Sequence, residues 1–385
     1  MNRRGWLWVI GLLAFAGLAA VFLWSAPQQP AQANISGLPV QAGNFTRADG
    51  PRTFEFPADH GPHPDFQTEW WYYTGNLSDS NGQRYGYQLT FFRRALTPPD
   101  ERQERASGWG TDQVYMAHFT LTRVSAQRFN AFERLARGAA GLSGAQGEPV
   151  YRVWLQDWRV EQTGEGRYHL EAAADDIKLE LDLRDTKGPV LQGDAGYSRK
   201  GAEAGNASYY ISQTRLESQG TLTTGAETVQ VSGFSWMDHE FSTSVLSEGQ
   251  VGWDWFALQL DDGSELMVYN IRQADGSPDA YSSGMFIDAT GNTTPLARED
   301  FQIDVLSTWR SPQSGADYPA GWRIQVPAIA LTMEVQPLIP DQELNVSFTY
   351  WEGAVRLNGQ RSGAAFNGFG YVELTGYAHS MQGQF

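Results

Sequence analysis

The chain contains no cysteine. That absence excludes disulfides, thiolate nucleophiles, cysteine metal sites and the lipid-modified cysteine of a bacterial lipoprotein anchor. Charge is scarce too, at 19% of residues, and it leans acidic: 28 Lys and Arg against 44 Asp and Glu give a net charge of -16. This balance argues against nucleic acid, or an anionic membrane surface, as a partner held by bulk electrostatics. Helical periodicity is nearly missing. Only Phe129, Phe132, Leu135 and Ala136 are spaced three and four apart, ahead of Gly138, and they predict one short helix followed by a Gly/Ala/Ser-rich loop over 138–147.

What the chain has is apolar and aromatic residues, 41% and 13% of 385. At about 150 residues per domain that length suits two domains, each able to bury a core. The N-terminus carries the parts of a secretory signal. Arg3 and Arg4 precede an uncharged apolar run from Trp6 to Trp24, and Ala31-Gln32-Ala33 follows a Pro/Gln-rich spacer as a small-residue cleavage site. The run is also long enough to span a bilayer, so an uncleaved anchor over residues 6–24 is the alternative. In either case the positive flank stays inside and the bulk faces the exported side, periplasmic or secreted, or held at the inner membrane.

Beyond a linker over 34–53 the chain reads as strands. Thr68 to Leu77 places Trp70 and Tyr72 on one face and Trp71 and Tyr73 on the other, which predicts a strand covered on both sides. An Asn81-Gly82 turn then leads into Tyr85, Tyr87, Leu89 and Phe91 alternating with smaller or polar residues, the signature of a hairpin. Short alternating segments recur to the end of the chain, most cleanly over 177–183. Many short strands with Gly-rich turns imply antiparallel barrels or sandwiches. A weak echo between Trp71-Tyr72-Tyr73-Thr74-Gly75 and Tyr350-Trp351-Glu352-Gly353 hints at two related barrels.

The densest chemistry is Phe234-Ser235-Trp236-Met237-Asp238-His239-Glu240-Phe241. In an extended segment Asp238 and Glu240 point one way and His239 the other, which argues against a local triad. Burial beside Trp236 and the nearby Trp253-Asp254-Trp255 would raise a carboxyl pKa. The same residues also suit a buried polar strand end with its hydrogen bonds satisfied. His60, His63 and Asp65 invite a metal reading, but Pro62 and Pro64 stiffen the loop and no complete ligand set is visible. The loop could instead fold over the central stretch and bond Asp238 or His239. Glu69 is a candidate buried partner for Arg93, and His118 a candidate satisfied core histidine.

The run His60-Gly61-Pro62-His63-Pro64-Asp65-Phe66-Gln67-Thr68-Glu69-Trp70-Trp71-Tyr72-Tyr73-Thr74-Gly75-Asn76-Leu77 closely resembles the opening signature of the AttH-like family. That family includes carotenoid 1,2-hydratase, also called hydroxyneurosporene synthase. The Trp236 to His239 stretch, the Gly252 to Trp255 segment with its Asp262-Gly263 turn, and Gly370-Tyr371-Val372-Glu373-Leu374-Thr375-Gly376-Tyr377 are similar to family motifs, so the resemblance covers about 54 to 377. It implies an all-β protein with two consecutive lipocalin-like barrels, drawn here at 54–232 and 233–385. Members range from hydratases of acyclic carotenoids, through fungal relatives that guide cyclisations, to exported bacterial proteins beside ABC-transporter components that are described as predicted secreted hydrolases.

Two functions follow as expectations. One is an exported carrier of an apolar, lipid or isoprenoid-like ligand, with Trp70, Tyr72, Trp253, Trp255 and His63 as binding residues and ABC-transporter components as partners. The other is a hydratase that adds water across an isoprenoid alkene, which needs an acid, a π-face for the tertiary cation and a base. Asp238, Glu240 and Asp254 are the candidate acids, Trp236 and Trp253 the candidate rings, and His239 the candidate base. Carbohydrate recognition by exposed aromatics is a third reading. No cofactor and no metal are called for.

Overall fold

A computed structural model describes residues 44–103, 106–243 and 246–382; the expected signal or anchor segment, 1–33, lies outside them. The described chain is almost entirely β, arranged as two barrel-like antiparallel sheets. The first has 13 strands, with a path running in sheet order through Arg128–Arg137, Gln113–Arg123, Arg84–Ala95, Thr68–Asp79, Glu227–Ser242, Ala207–Thr224, Ile177–Asp185, Arg167–Ala174, Trp158–Gly164, Arg152–Leu155 and Ser143–Gln146. The second has 10, through Thr293–Leu296, Ser283–Ile287, Glu265–Gln273, Gln250–Leu260, Ala364–Leu374, Thr349–Arg361, Leu331–Pro337, Asp317–Val326 and Gln302–Arg310. The sheets divide between Ser242 and Gln250. The strand Glu227–Ser242 therefore runs straight through the expected 232/233 boundary, because it pairs along its length with Ala207–Thr224 and, from Val231 on, with Thr68–Asp79.

The segment read as a helix is a strand. Arg128–Arg137 pairs residue for residue with Gln113–Arg123, from Arg123↔Arg128 to Val114↔Arg137. Phe132 and Ala136 pack on the first core, with the Phe132 ring 6.0 Å from that of Phe119. Glu133, on the opposite face, meets His118 at 3.1 Å and the Ser347 hydroxyl at 2.6 Å. A strand half-buried on both faces needs apolar residues on both, and that spacing imitates a helical stripe.

Burial on both faces is the general rule where the sheets meet. In the hairpin of Thr68–Asp79 and Arg84–Ala95, turned at Gly82 with φ 76°, Trp71, Tyr73, Leu77, Tyr87, Leu89 and Phe91 fill the first core. Tyr72 instead joins Tyr210, Trp236, Trp255, Tyr269, Ala354 and Tyr371 in an apolar layer between the sheets. A separate core, with Trp322, Trp351 and Phe256, fills the second barrel. Polar ties cross the seam: Asn76 Nδ2 donates to the Gly370 carbonyl at 2.8 Å, Tyr72 Oη to Glu352 at 2.6 Å and Thr122 Oγ1 to Gln342 at 2.7 Å. His118 lies in the same seam, 2.6 Å from the Tyr350 hydroxyl, as a satisfied core histidine.

The sheets approach closely at Gly86, where an added Cβ would stand 2.3 Å from the Ala354 Cβ. Gly86→Val is expected to wedge the sheets apart and cost about 1–3 kcal/mol, the usual range for overpacking. Chemical unfolding should show a lower midpoint; an unchanged midpoint would mean that the seam yields freely.

Candidate functional site

Pairing register sorts the central motif onto two faces. Tyr72 stands opposite Asp238 and Asp238 opposite Ser212; one row on, Trp70 stands opposite Glu240 and Glu240 opposite Tyr210. Directly paired residues in an antiparallel sheet share a face, so these six side chains point toward the second sheet. Trp71 and His239, the intervening pair, point into the first barrel. From the other side, Trp255 pairs with both Tyr269 and Glu373, and Glu373 with Glu352, so this row faces back toward the first sheet. The two rows flank an open cleft walled by Trp70, Tyr72, Tyr210, Trp253, Trp255, Tyr269, Phe348 and Tyr350 and carrying Asp238, Glu240, Glu373 and Lys200.

Asp238 is buried and accepts three hydrogen bonds: from Tyr210 Oη at 2.5 Å, Ser212 Oγ at 2.5 Å and Trp236 Nε1 at 2.7 Å. Burial nevertheless dominates and pushes its carboxyl up to about 7, with the Glu240 charge adding to the rise. Glu373 is raised to about 8, again by burial, although the Trp253 side chain donates a hydrogen bond to it. Its strand neighbour Glu352 is pushed well above the carboxylate range by burial and by the charge of Glu373. Glu240 is bound by Ser208 and lies 3.2 Å from Lys200 Nζ. That ammonium sits 4.2 Å from the Tyr269 ring centroid and 5.2 Å from that of Tyr210. Burial opposes the Lys200 charge, but Glu240 outweighs it and the pKa is raised.

On the opposite face of these strands lies a second polar cluster. Glu69, fully buried, takes Arg93 Nε at 2.8 Å, His239 Nε2 at 2.8 Å, and His63 through both its backbone N–H at 3.0 Å and its Nδ1 at 2.9 Å. His63 Nε2 reaches Asp59 at 2.9 Å, and Arg52 lies 2.8 Å from the same carboxylate. Burial opposes the Glu69 charge, but Arg93 and the two histidines hold it well below the usual carboxylate range. Burial likewise opposes protonation of His63, yet its two carboxylate partners raise its pKa; His239, more deeply desolvated, is lowered.

Several expected positions are therefore corrected. His239 and His63 are not in the cleft; they meet through Glu69, with ring centroids 5.5 Å apart. The His60 to Asp65 loop lies against His239 and is joined to it through Glu69, while the bonds to Asp238 come from Tyr210, Ser212 and Trp236. Asp254 alternates with the cleft residues Trp253 and Trp255 and so faces away, paired with Arg272 at 2.9 Å and Tyr377 at 3.1 Å. Trp236 stands behind Asp238 as a hydrogen-bond donor and is not on the cleft wall. Trp70, Tyr72, Trp253 and Trp255 do line it, as do Asp238 and Glu240. Glu373, Lys200 and Tyr210 escaped the sequence reading. Glu373 sat inside a quoted motif, and its position opposite Trp255 across the strands is what gives it a place in the cleft.

Asp65 points outward and carries no part of a metal set. Among the described residues, ligand atoms of His63, Glu69 and His239 do lie within 4.8 Å of one another. Arg93 and Arg52 already balance Glu69 and Asp59 there, so a metal ion would add positive charge to a buried cluster that is neutral before His63 is protonated.

Glu69→Gln is expected to cost about 3–5 kcal/mol in urea unfolding, because Arg93 is left buried without its counter-charge. Asp238 has the opposite effect. Its folded pKa of about 7 exceeds the ordinary 3.8, so the folded state holds the proton longer and this group lowers stability as pH rises from about 4 to about 7. Asp238→Asn should remove that loss and gain stability over the parent between pH 5 and pH 8, by at most a few kcal/mol; a pH-independent difference would contradict the burial argument.

Residues 47–377 match the AttH-like family. Among solved structures, an AttH-like protein from Nitrosomonas europaea is 34% identical, with a TM-score of 0.75 over 86% of this chain and 100% of that one. Kievitone hydratase from Nectria haematococca shares the fold at 14% identity and a TM-score of 0.64, over 88% of this chain and 97% of that one. CghA shares it more distantly, at 9% identity and a TM-score of 0.52, over 88% and 96%. No match was found among curated proteins. With the family signature extending over nearly all of both barrels, the chain belongs to the AttH-like family.

Proposed function

We propose that this chain binds an apolar, alkene-bearing ligand of isoprenoid type in the cleft between its barrels and adds water to it, with Asp238 as the acid. The observation that carries the reading is a buried carboxyl raised to about 7 in a cleft walled largely by aromatic rings. Because burial raises its pKa, Asp238 still holds a proton near neutrality that it can give to an alkene carbon. The adjacent carbon becomes a tertiary cation facing Trp70, Trp253 and Trp255. Water then forms the C–O bond, and the proton it sheds passes to the Asp238 carboxylate that the first step left ionised. The net change is one water added and no residue consumed.

Kievitone hydratase has the same fold, but at its low identity that likeness speaks for architecture alone. The second reading, a carrier without chemistry, rests on the same aromatic wall. Export through residues 1–33 and a partnership with ABC-transporter components suit a ligand that arrives from a membrane, and both belong to this proposal.

Incubating the protein with acyclic carotenoids and shorter isoprenoid alkenes in heavy-oxygen water tests the reading. A labelled tertiary alcohol is expected. Turnover should fall as pH rises through about 7, and Asp238→Asn should reduce it about 10²- to 10⁴-fold, the usual worth of a general acid. Recovery of bound but unlabelled alkene would leave the carrier and remove the hydratase.

A further inference from the structure

Several buried acids elsewhere among the described residues have cationic partners, while Glu343 and Asp279 are held by neutral groups. Glu69 has Arg93, Asp254 has Arg272, and Glu265 has both Lys187 and Arg215. In the cleft, Lys200 serves Glu240. Asp238 and Glu373 differ: the groups that bond them are the hydroxyls of Tyr210 and Ser212 and the indoles of Trp236 and Trp253, all uncharged. The other acids near these two carboxyls are Glu240, already paired with Lys200, and Glu352. The cleft therefore holds more acid than cation.

Its walls are suited to the missing charge. Lys200 shows how an ammonium is accommodated here, over the Tyr269 and Tyr210 faces with a carboxylate beside it. Trp70, Trp253 and Trp255 offer further indole surface along the same cleft. Ring faces attract cations most strongly where water is displaced, and a carboxyl beside them that can ionise supplies the counter-charge.

We propose that the cleft recognises organic cations, a substituted ammonium group on an apolar body, seated against its indole faces beside Asp238 and Glu373. The inference rests on the cleft being the ligand site, and it deepens the hydration reading: such an ammonium is a stable likeness of the cation formed when an alkene is protonated. Binding draws Asp238 and Glu373 into their ionised forms, so protons leave as the cation enters. Affinity then rises with pH through about 7 and about 8.

The test compares octyltrimethylammonium, below its micelle concentration, with the uncharged isostere carrying a tert-butyl group, by tryptophan fluorescence and by calorimetry in two buffers of different ionisation enthalpy. The cation is expected to bind at least about tenfold more tightly at pH 8, with proton release and a weaker preference at pH 6. A double variant, Asp238→Asn with Glu373→Gln, should erase that preference and keep the isostere's affinity within about twofold, which also shows the cleft intact. If the isostere binds as well as the ammonium, or better, the cation proposal falls and the apolar cleft stands. If neither binds, both fall.

Discussion

The structure depends on one constraint, the face-to-face packing of two curved sheets. Each barrel has its own core, but the strands at the seam have no solvent face. Whatever points outward from the first barrel at Tyr72, Tyr210 or Asp238 must find a partner on the second, at Trp255, Tyr269 or Glu373. Where the partners interdigitate, as at Gly86 and Ala354, the seam closes; where bulky rings hold the sheets apart, it leaves a cleft.

That arrangement explains the chemistry of the cleft. A carboxyl on a one-sided sheet would face water and titrate normally. Asp238 is instead enclosed between two sheets among aromatic rings, and the desolvation outweighs three good hydrogen bonds. The same strand sends His239 the other way, into a cluster where Arg93 supplies counter-charge and Glu69 stays ionised. Neighbouring residues on one backbone thus occupy opposite electrostatic regimes. The Glu69 cluster ties the loop before the first strand to the strand Glu227–Ser242, and so holds in place the backbone from which Asp238 projects.

Much of this was legible before any coordinates. The aromatic run from Thr68 to Leu77, the Asn81-Gly82 turn and the alternation from Tyr85 to Phe91 announced the first hairpin, and the Glu69–Arg93 pair was anticipated. The helix at 129–136 was misread because a strand packed on both faces has no polar side, and spacing then loses its meaning. Trp158–Gly164 was not named as a strand, although buried Trp158 and Val160 alternate there with half-buried Arg159 and Glu161.

By itself the sequence determined the all-β class, the family, and the opposite directions of Asp238 and His239, because these rest on local period and on contiguous motifs. Tertiary structure alone decided which residues share a site. Glu373 and Lys200 are far from Asp238 along the chain, Asp254 is close to cleft residues and faces away, and His63 belongs to the other side of the sheet. Register between strands sets such neighbours, and register is fixed by the packing of whole sheets, a property that no short stretch of residues contains.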